Sequence, residues 1–395
     1  MFYVGIDVAK FKHDLCLLDE NGTKVGKEFS FANSQEGADQ VLAFLEANSV
    51  TADNLLIGME ATGHYWIALY SFLFEHGYHI IVINPIQTDS YRRMAIRKVK
   101  NDQVDAYFIA KLLRSGDFKQ SSAMDERYTG LKQLTRFRMF LVDECSDLKK
   151  KALVILDQVF PEYQKLFTDT FGKTSTEILL NCPFPEDIQQ ISTRKLITLL
   201  NKASRGRLGA SQAETLKKAA ANSFGITFAT DAFAFELKQL LQQLLFTEKQ
   251  IADLDTQIAK QLKTLDTYIT SIPGIGEVLG ATIISEIGDI NTFEAPNKLV
   301  AFAGIDASVH SSGTFVGTQN HMSKRGSPYL RRAIWLAASV AAFHDPILSA
   351  YYQQLRARGK HHLVAINGVA RKLCNIIYTI LKEQRAYLPL PPKGR

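Results

Sequence analysis

The sequence predicts an α/β domain followed by a mostly helical remainder, and three observations predict it. Short β-branched runs alternate with amphipathic stretches up to about residue 113. Two leucine and isoleucine series then recur every seven residues. The final third carries a proline–glycine turn, a polar glycine-containing stretch and further apolar helices.

Residues 2–9 read as a buried strand that carries Asp7 near its end. Residues 13–19 form a second strand, Glu20-Asn21-Gly22 a hairpin turn, and residues 23–31 a returning third strand. Ser34 is placed to cap a helix over about 35–48, with Val41, Leu42, Phe44 and Leu45 on its apolar face. A strand at 54–60 carries Glu60 at its end. A helix over 64–76 and a strand at 79–84 follow, closed by Asn84-Pro85. Helices then carry Arg92 to Lys100 and Asp102 to Leu113. Three antiparallel strands followed by alternating helices and strands fit a ribonuclease-H-like layer fold for residues 1–125.

From residue 126 the pattern turns to long helix. Leu134, Leu141, Leu148 and Ile155 form one seven-residue series, and Leu237, Leu244, Ile251, Ile258 and Leu265 form another, with Leu240 and Leu254 at the second core position. They predict coiled-coil or helical-hairpin arms over 126–267, with a mostly helical insert at about 160–232. A C-terminal domain over 268–385 and a proline-rich tail at 386–395 complete the chain.

Composition narrows the function classes. Of 395 residues, 46% are hydrophobic and 22% charged, an ordinary globular balance, and the net charge of +6 suits a polyanionic partner. The four cysteines (Cys16, Cys145, Cys182, Cys374) form no C-x-x-C pair, which argues against zinc and for reduced thiols in a cytoplasmic protein. The N-terminus lacks the features of a signal peptide, and no apolar run approaches the roughly 20 residues that span a bilayer.

Asp7 and Glu60 end apolar strands, where a lone carboxylate is costly and a cation would relieve it, although a strand-end carboxylate can simply face solvent. Asp102 and Asp105 lie three apart on one helix face, and Asp102 also suits a helix start. Together these four acids make a hard-oxygen set suited to Mg²⁺ or Mn²⁺, the ions used on phosphodiester backbones. Ile272-Pro273-Gly274-Ile275-Gly276 resembles a helix-hairpin-helix turn, in which Gly274 and Gly276 let backbone amides approach phosphate; an ordinary helix-capping turn looks similar. Residues 308–326 carry Ser308, Ser311, Ser312 and Ser323, none of which stands out on chemistry alone. Cationic candidates for phosphate contact are Arg92, Arg93, Arg97 and Lys100 near the acids, and Lys324, Arg325, Arg331 and Arg332 at a helix start. Solvated cationic faces are the plain alternative.

The ordered set closely resembles the DEDD-class insertion-sequence transposases, related to the Piv/MooV DNA invertases and known as bridge-RNA-guided recombinases. It comprises Tyr3-Val4-Gly5-Ile6-Asp7-Val8-Ala9-Lys10, Glu60-Ala61-Thr62-Gly63, Val82-Ile83-Asn84-Pro85 and Lys100-Asn101-Asp102-Gln103-Val104-Asp105-Ala106. Ser271-Ile272-Pro273-Gly274-Ile275-Gly276, Phe302-Ala303-Gly304, Ser312-Gly313, Met322-Ser323-Lys324-Arg325-Gly326 and Leu330-Arg331-Arg332 continue it. The resemblance spans roughly 1–156 and 233–385.

It implies a RuvC-like catalytic domain with Asp7, Glu60, Asp102 and Asp105 as a metal-binding tetrad, a coiled-coil dimerisation region and a C-terminal transposase domain. It further implies a serine nucleophile at a Ser-Gly step, which matches Ser312, with Ser311 directly before it. Dimers would pair into tetramers, and a non-coding bridge RNA would select donor and target DNA by base pairing. The insert at 160–232 is longer than in compact members. The competing readings are a metal-dependent Holliday-junction-type endonuclease acting by water attack, and a catalytically inert nucleic-acid-binding scaffold.

Overall fold

The structure, a computed structural model, describes residues 1–61, 63–83, 85–93, 102–118, 125–307, 311–312, 315–316 and 321–389; of residues 86, 92, 93, 102, 103, 311, 312, 315 and 316 it describes the backbone alone. The chain divides into two units, 1–124 and 125–395.

In the first unit, β1 (Phe2–Val8), β2 (Lys12–Leu18), β3 (Phe29–Ala32), β4 (Leu55–Glu60) and β5 (His79–Ile83) form one sheet in the order β3-β2-β1-β4-β5. β1, β2 and β3 are antiparallel neighbours, whereas β4 is parallel to β1 and to β5. The parallel steps use helical crossovers: α1 (Gln35–Ala47) joins β3 to β4, and α2 (Trp66–Glu75) joins β4 to β5. Ser34 caps α1 as expected, its Oγ accepting from Gly37 N at 3.2 Å.

Strand alternation sorts the core into two layers. Val4, Ile6, Val8, Leu15, Leu17, Ile57 and Met59 pack with Val41, Leu45, Leu69 and Leu73 of α1 and α2. The opposite face, carrying Cys16, Leu18, Ile81 and Ile83, packs under α4 (Asp102–Ser115). Gly5 and Gly58 are the close-approach points. A Cβ on Gly5 would lie 2.1 Å from Ala106 O, and one on Gly58 would lie 2.6 Å from Leu113 Cδ1.

Two expectations change here. The third strand begins at Phe29 rather than residue 23, because Gly26 adopts φ +69°, which breaks the ladder after an isolated Leu18–Lys24 bridge. The helix expected from Arg92 to Lys100 begins earlier, as α3 (Pro85–Arg93), with proline in its first turn where the missing N–H costs nothing; residues 94–101 lie outside the described residues.

The second unit is built on two long helices, α5 (Glu126–Val159) and α10 (Thr230–Leu262). They run antiparallel: Arg138 pairs with Asp255, and Lys149 Nζ lies 3.1 Å from Glu248. Leu141, Leu148 and Ile155 are buried on one arm and Leu237, Leu244 and Ile258 on the other. Between them lie α6 (Lys173–Asn181), α7 (Pro185–Gln190), α8 (Thr193–Ser204) and α9 (Ala210–Ala221), whose core around Phe160, Tyr163 and Ile178 also takes in Leu156, Leu237 and Leu241 from the arms. The insert is thus anchored in the hairpin rather than hung from it.

The C-terminal part comprises α11 (Glu277–Ile287), α12 (Pro296–Ala303), a short hairpin of β6 (Ser311–Ser312) and β7 (Phe315–Val316), α13 (Pro328–His344), α14 (Pro346–Ala357) and α15 (His362–Glu383). Alanines 333, 337, 338, 341 and 342 keep α13 thin enough for close packing. Among the described residues, α15 is the one helix that by itself is long and apolar enough to cross a membrane, yet it is packed into this core through Val369, Leu373 and Ile377. All four cysteines are free and buried, and burial pushes the Cys16 and Cys374 thiols up to about 12.

Candidate nucleic-acid-processing site

The register that pairs Gly5 with Gly58 and Ile6 with Met59 brings Asp7 level with Glu60 on adjacent strands. Both share the sheet face of Gly5 and Gly58, the face that α4 covers. The C-terminal half of α4, at Leu112 and Leu113, packs with Tyr3 and Leu56 near the start of their strands. Its N-terminal turns, with Asp102 and Asp105, therefore lie toward the strand ends where Asp7 and Glu60 stand. Asp105 is 8% exposed. Glu60 is held by the Thr88 hydroxyl of α3, which donates to Oε2 at 2.6 Å and to Pro85 O at 2.9 Å. The tight α4 contact depends on two glycines, so the glycines of Gly5-Ile6-Asp7 and Gly58-Met59-Glu60 serve packing, and the acids follow two residues later on the same face.

Among the described residues no three His, Cys, Asp or Glu side chains stand close enough to hold one ion together; the Asp102 side chain lies outside them. The donor set is nonetheless all carboxylate, which fits a hard divalent cation and does not fit a soft one.

One acid on this face escaped the sequence reading. Asp14 pairs with Asp7 across the β1–β2 ladder, shares its face and is 4% exposed. It accepts from Ser30 Oγ and lies 3.7 Å from Lys12 Nζ. The alternation His13-Asp14-Leu15-Cys16, with Cys16 under α4, was the signal that could have found it. His13 points to the other layer, where burial lowers its pKa against the opposing effects of Asn33 and Asp14.

The basic candidates divide. Arg92 and Arg93 end α3 and Lys100 and Arg97 lie outside the described residues, as do the two arginine side chains. Lys324 and Arg325 are exposed on a segment locked to the end of α12: Lys324 N donates to Gly304 O, Ser327 N donates to Phe302 O, and a Cβ on Gly326 would lie 1.6 Å from Phe302 O. An Ala307–Met322 bridge closes the base of the loop that contains the β6–β7 hairpin, so these cations follow directly from the segment that carries Ser311 and Ser312. Arg331 donates to Ala303 O at 3.3 Å, and Arg332 grips Asp143 of α5 through two 2.8 Å bonds. Those bonds hold the Asp143 carboxyl below the usual range.

The glycine turn before α11 also has a packing role. Gly274 has φ +88°, and its Cβ would lie 2.6 Å from Ala337 O, so it admits the backbone of α13. Gly276 caps α11 with open space beside it, although Glu277 occupies the first turn and lies 3.7 Å from Lys263.

A carboxylate-edged mixed sheet, a long helical arm and a helical part with exposed cations suit a protein that works on a polyanion. Two family models match: a DEDD transposase domain over residues 4–161, and the transposase IS116/IS110/IS902 family over residues 266–353. The chain belongs to this transposase family. It is 26% identical to the insertion element IS116 44.8 kDa protein of Streptomyces clavuligerus over 99% of this chain and 97% of that one. It is 25% identical to the mini-circle putative transposase for IS117 of Streptomyces coelicolor, over 98% and 97%. The pilin gene-inverting protein of Moraxella lacunata is 22% identical, again over 98% and 97%. Transposases and DNA invertases act on DNA.

Proposed function

We propose that this transposase cuts and rejoins DNA of its own insertion element at a RuvC-like site formed by Asp7, Glu60, Asp102 and Asp105, with Ser312 as the nucleophile. The observation that carries the reading is the shared face: Asp7 and Glu60 stand level on adjacent strands beneath the helix that carries Asp102 and Asp105. Mg²⁺ or Mn²⁺ held by these carboxylates would neutralise the charge that develops on the phosphate. Thr88 keeps Glu60 in one orientation, and α4 keeps Asp105 against the sheet.

In the serine step, Ser312 Oγ bonds to phosphorus as the bond from phosphorus to the departing strand breaks. The serine proton ends on that strand's sugar hydroxyl. The resulting phosphoserine bond retains the energy for rejoining when a strand hydroxyl attacks it in return. Lys324 and Arg325, exposed on a backbone held to α12 and following the serine-bearing segment in the chain, suit contact with backbone phosphates. A bridge RNA that pairs with donor and target DNA, and a dimer-of-dimers that brings one subunit's acids to another's serine, complete the proposal.

The test is strand cutting by the full-length protein with donor DNA and the transcript flanking its gene. Asp7→Asn and Glu60→Gln are expected to lower cutting at least a thousandfold, and removal of divalent ions to abolish it. Ser312→Ala is expected to eliminate the protein–DNA adduct. Undiminished cutting by Asp7→Asn would overturn the acidic site. Full cutting without an adduct in Ser312→Ala would instead establish the water-attack junction nuclease.

A further inference from the structure

We infer that the β1–β2 turn, Ala9-Lys10-Phe11-Lys12, is a stacking post for an unpaired nucleotide next to the cut phosphate; this rests on the acidic site proposed above. Phe11 is 76% exposed, and the Lys10 ammonium lies over its ring. The turn is nevertheless firmly built. Asn33 N donates to Phe11 O at 3.0 Å, Asn33 Nδ2 donates to Lys10 O at 3.2 Å, and Ala9 N donates to His13 Nδ1 at 3.3 Å. A ring that is exposed on a pinned backbone is presented rather than merely mobile.

Lysines precede and follow it in the chain. Lys10 Nζ lies 4.8 Å from the Phe11 ring centroid, and Lys12 Nζ is steadied 3.7 Å from the buried Asp14. Asp14 thus draws Lys12 toward the face that carries Asp7. An exposed aromatic ring with one cation over it and a second on the next residue matches the chemistry of a single nucleic-acid strand, whose bases stack and whose phosphates seek positive charge. It does not match duplex DNA, whose bases are already stacked.

Its location supplies the second argument. Asp7–Asp14 is the last ladder pair but one before this turn, and Val8–His13 is the last. Phe11 is four residues beyond Asp7, which at about 3.3 Å per residue is at most roughly 13 Å. That span covers about four stacked nucleotides of one strand. A base drawn out of its stack beside the scissile bond falls within reach of the ring.

The experiment measures binding of the full-length protein in EDTA, where cutting is not read. The probes are duplexes with a short central bulge that contains 2-aminopurine, one set of DNA and one of RNA, beside a fully paired control. The wild type is expected to quench the bulge fluorescence and to prefer bulged over paired duplex. Phe11→Ala is expected to lose the quenching and about tenfold in bulge affinity, with paired-duplex affinity unchanged, and Phe11→Trp to retain both. Lys10→Ala and Lys12→Ala are each expected to lower the salt dependence of binding by about one unit.

Preference for the DNA bulge assigns the post to the cut strand, and preference for the RNA bulge assigns it to the guide. Equal quenching by wild type and Phe11→Ala, with matched melting temperatures, would overturn the inference. If Asp7→Asn still cuts while Phe11→Ala loses the bulge, the acidic-site reading fails and the stacking post stands. If Asp7→Asn fails to cut and Phe11→Ala binds as wild type, the outcomes reverse.

Discussion

Glu286 shows how a single carboxylate can organise a domain. It is 3% exposed and takes a bidentate grip from Arg136 at 2.6 and 3.0 Å and a hydrogen bond from Ser327 Oγ at 2.8 Å, with Lys132 Nζ 3.8 Å away. These partners come from α5 and from the cap of α13, so one side chain joins three helices. Arg136 also lies 4.4 Å from the Tyr329 ring centroid. Burial depresses the Lys132 pKa, with Glu286 opposing. Removing the carboxylate leaves two partly exposed cations without their shared counter-charge. Glu286→Ala is therefore expected to cost about 2 kcal/mol or more in urea unfolding, Arg136 being partly solvated, and Glu286→Gln distinctly less because the amide still accepts from Ser327. Equal stability of all three proteins would refute this account. The same scale separates the arginine candidates: Arg332 spends its donors on Asp143, whereas Lys324 and Arg325 face solvent.

Among elements, the seat of α4 on β1 and β4 matters most for the site. Glycine at positions 5 and 58 lets the helix lie directly on the sheet, and the two positions differ in what a methyl group would meet. At Gly5 it meets backbone, Ala106 O at 2.1 Å and Ala110 N at 2.4 Å; at Gly58 it meets the flexible end of Leu113. Gly5→Ala is expected to lift α4, cost about 3 kcal/mol and lower cutting about a hundredfold, since displacement of positioned groups by an ångström carries that penalty. Gly58→Ala is expected to do less in both assays. Equal effects would show that the helix yields as readily as a side chain. Periodicity made these strands and helices legible, because the two-residue alternation of Val4-Gly5-Ile6-Asp7 and Leu55-Leu56-Ile57-Gly58 survives in the layers. It could not reveal the late start of β3, where the backbone sign at Gly26 outweighs the strand propensity of its neighbours.

At the scale of the molecule, the chain is two units with separate cores. Residues 1–124 own a complete two-layer core around one sheet, so this fragment expressed alone is expected to unfold in a single cooperative transition. Non-cooperative melting with native-like helix content would contradict that independence. The insert behaves otherwise: its core shares Leu156, Leu237 and Leu241 with the arms. The heptad series left coiled-coil and helical-hairpin arms as alternatives, and the choice of an antiparallel pair within one chain, pinned by Arg138–Asp255, is a tertiary fact.

By itself the sequence determined most of the strand and helix order, the order of the acidic signals and the kinship with insertion-element transposases. The first two are local or linear properties, read from periodicity and spacing, and the kinship is a resemblance carried by an ordered set of motifs. Only the tertiary structure decided that Asp14 stands opposite Asp7, that Gly274 admits α13, that Glu286 joins three helices and that Phe11 projects from a pinned turn. Each depends on contacts between segments distant in the chain, and no one-dimensional pattern records which residues the fold brings face to face.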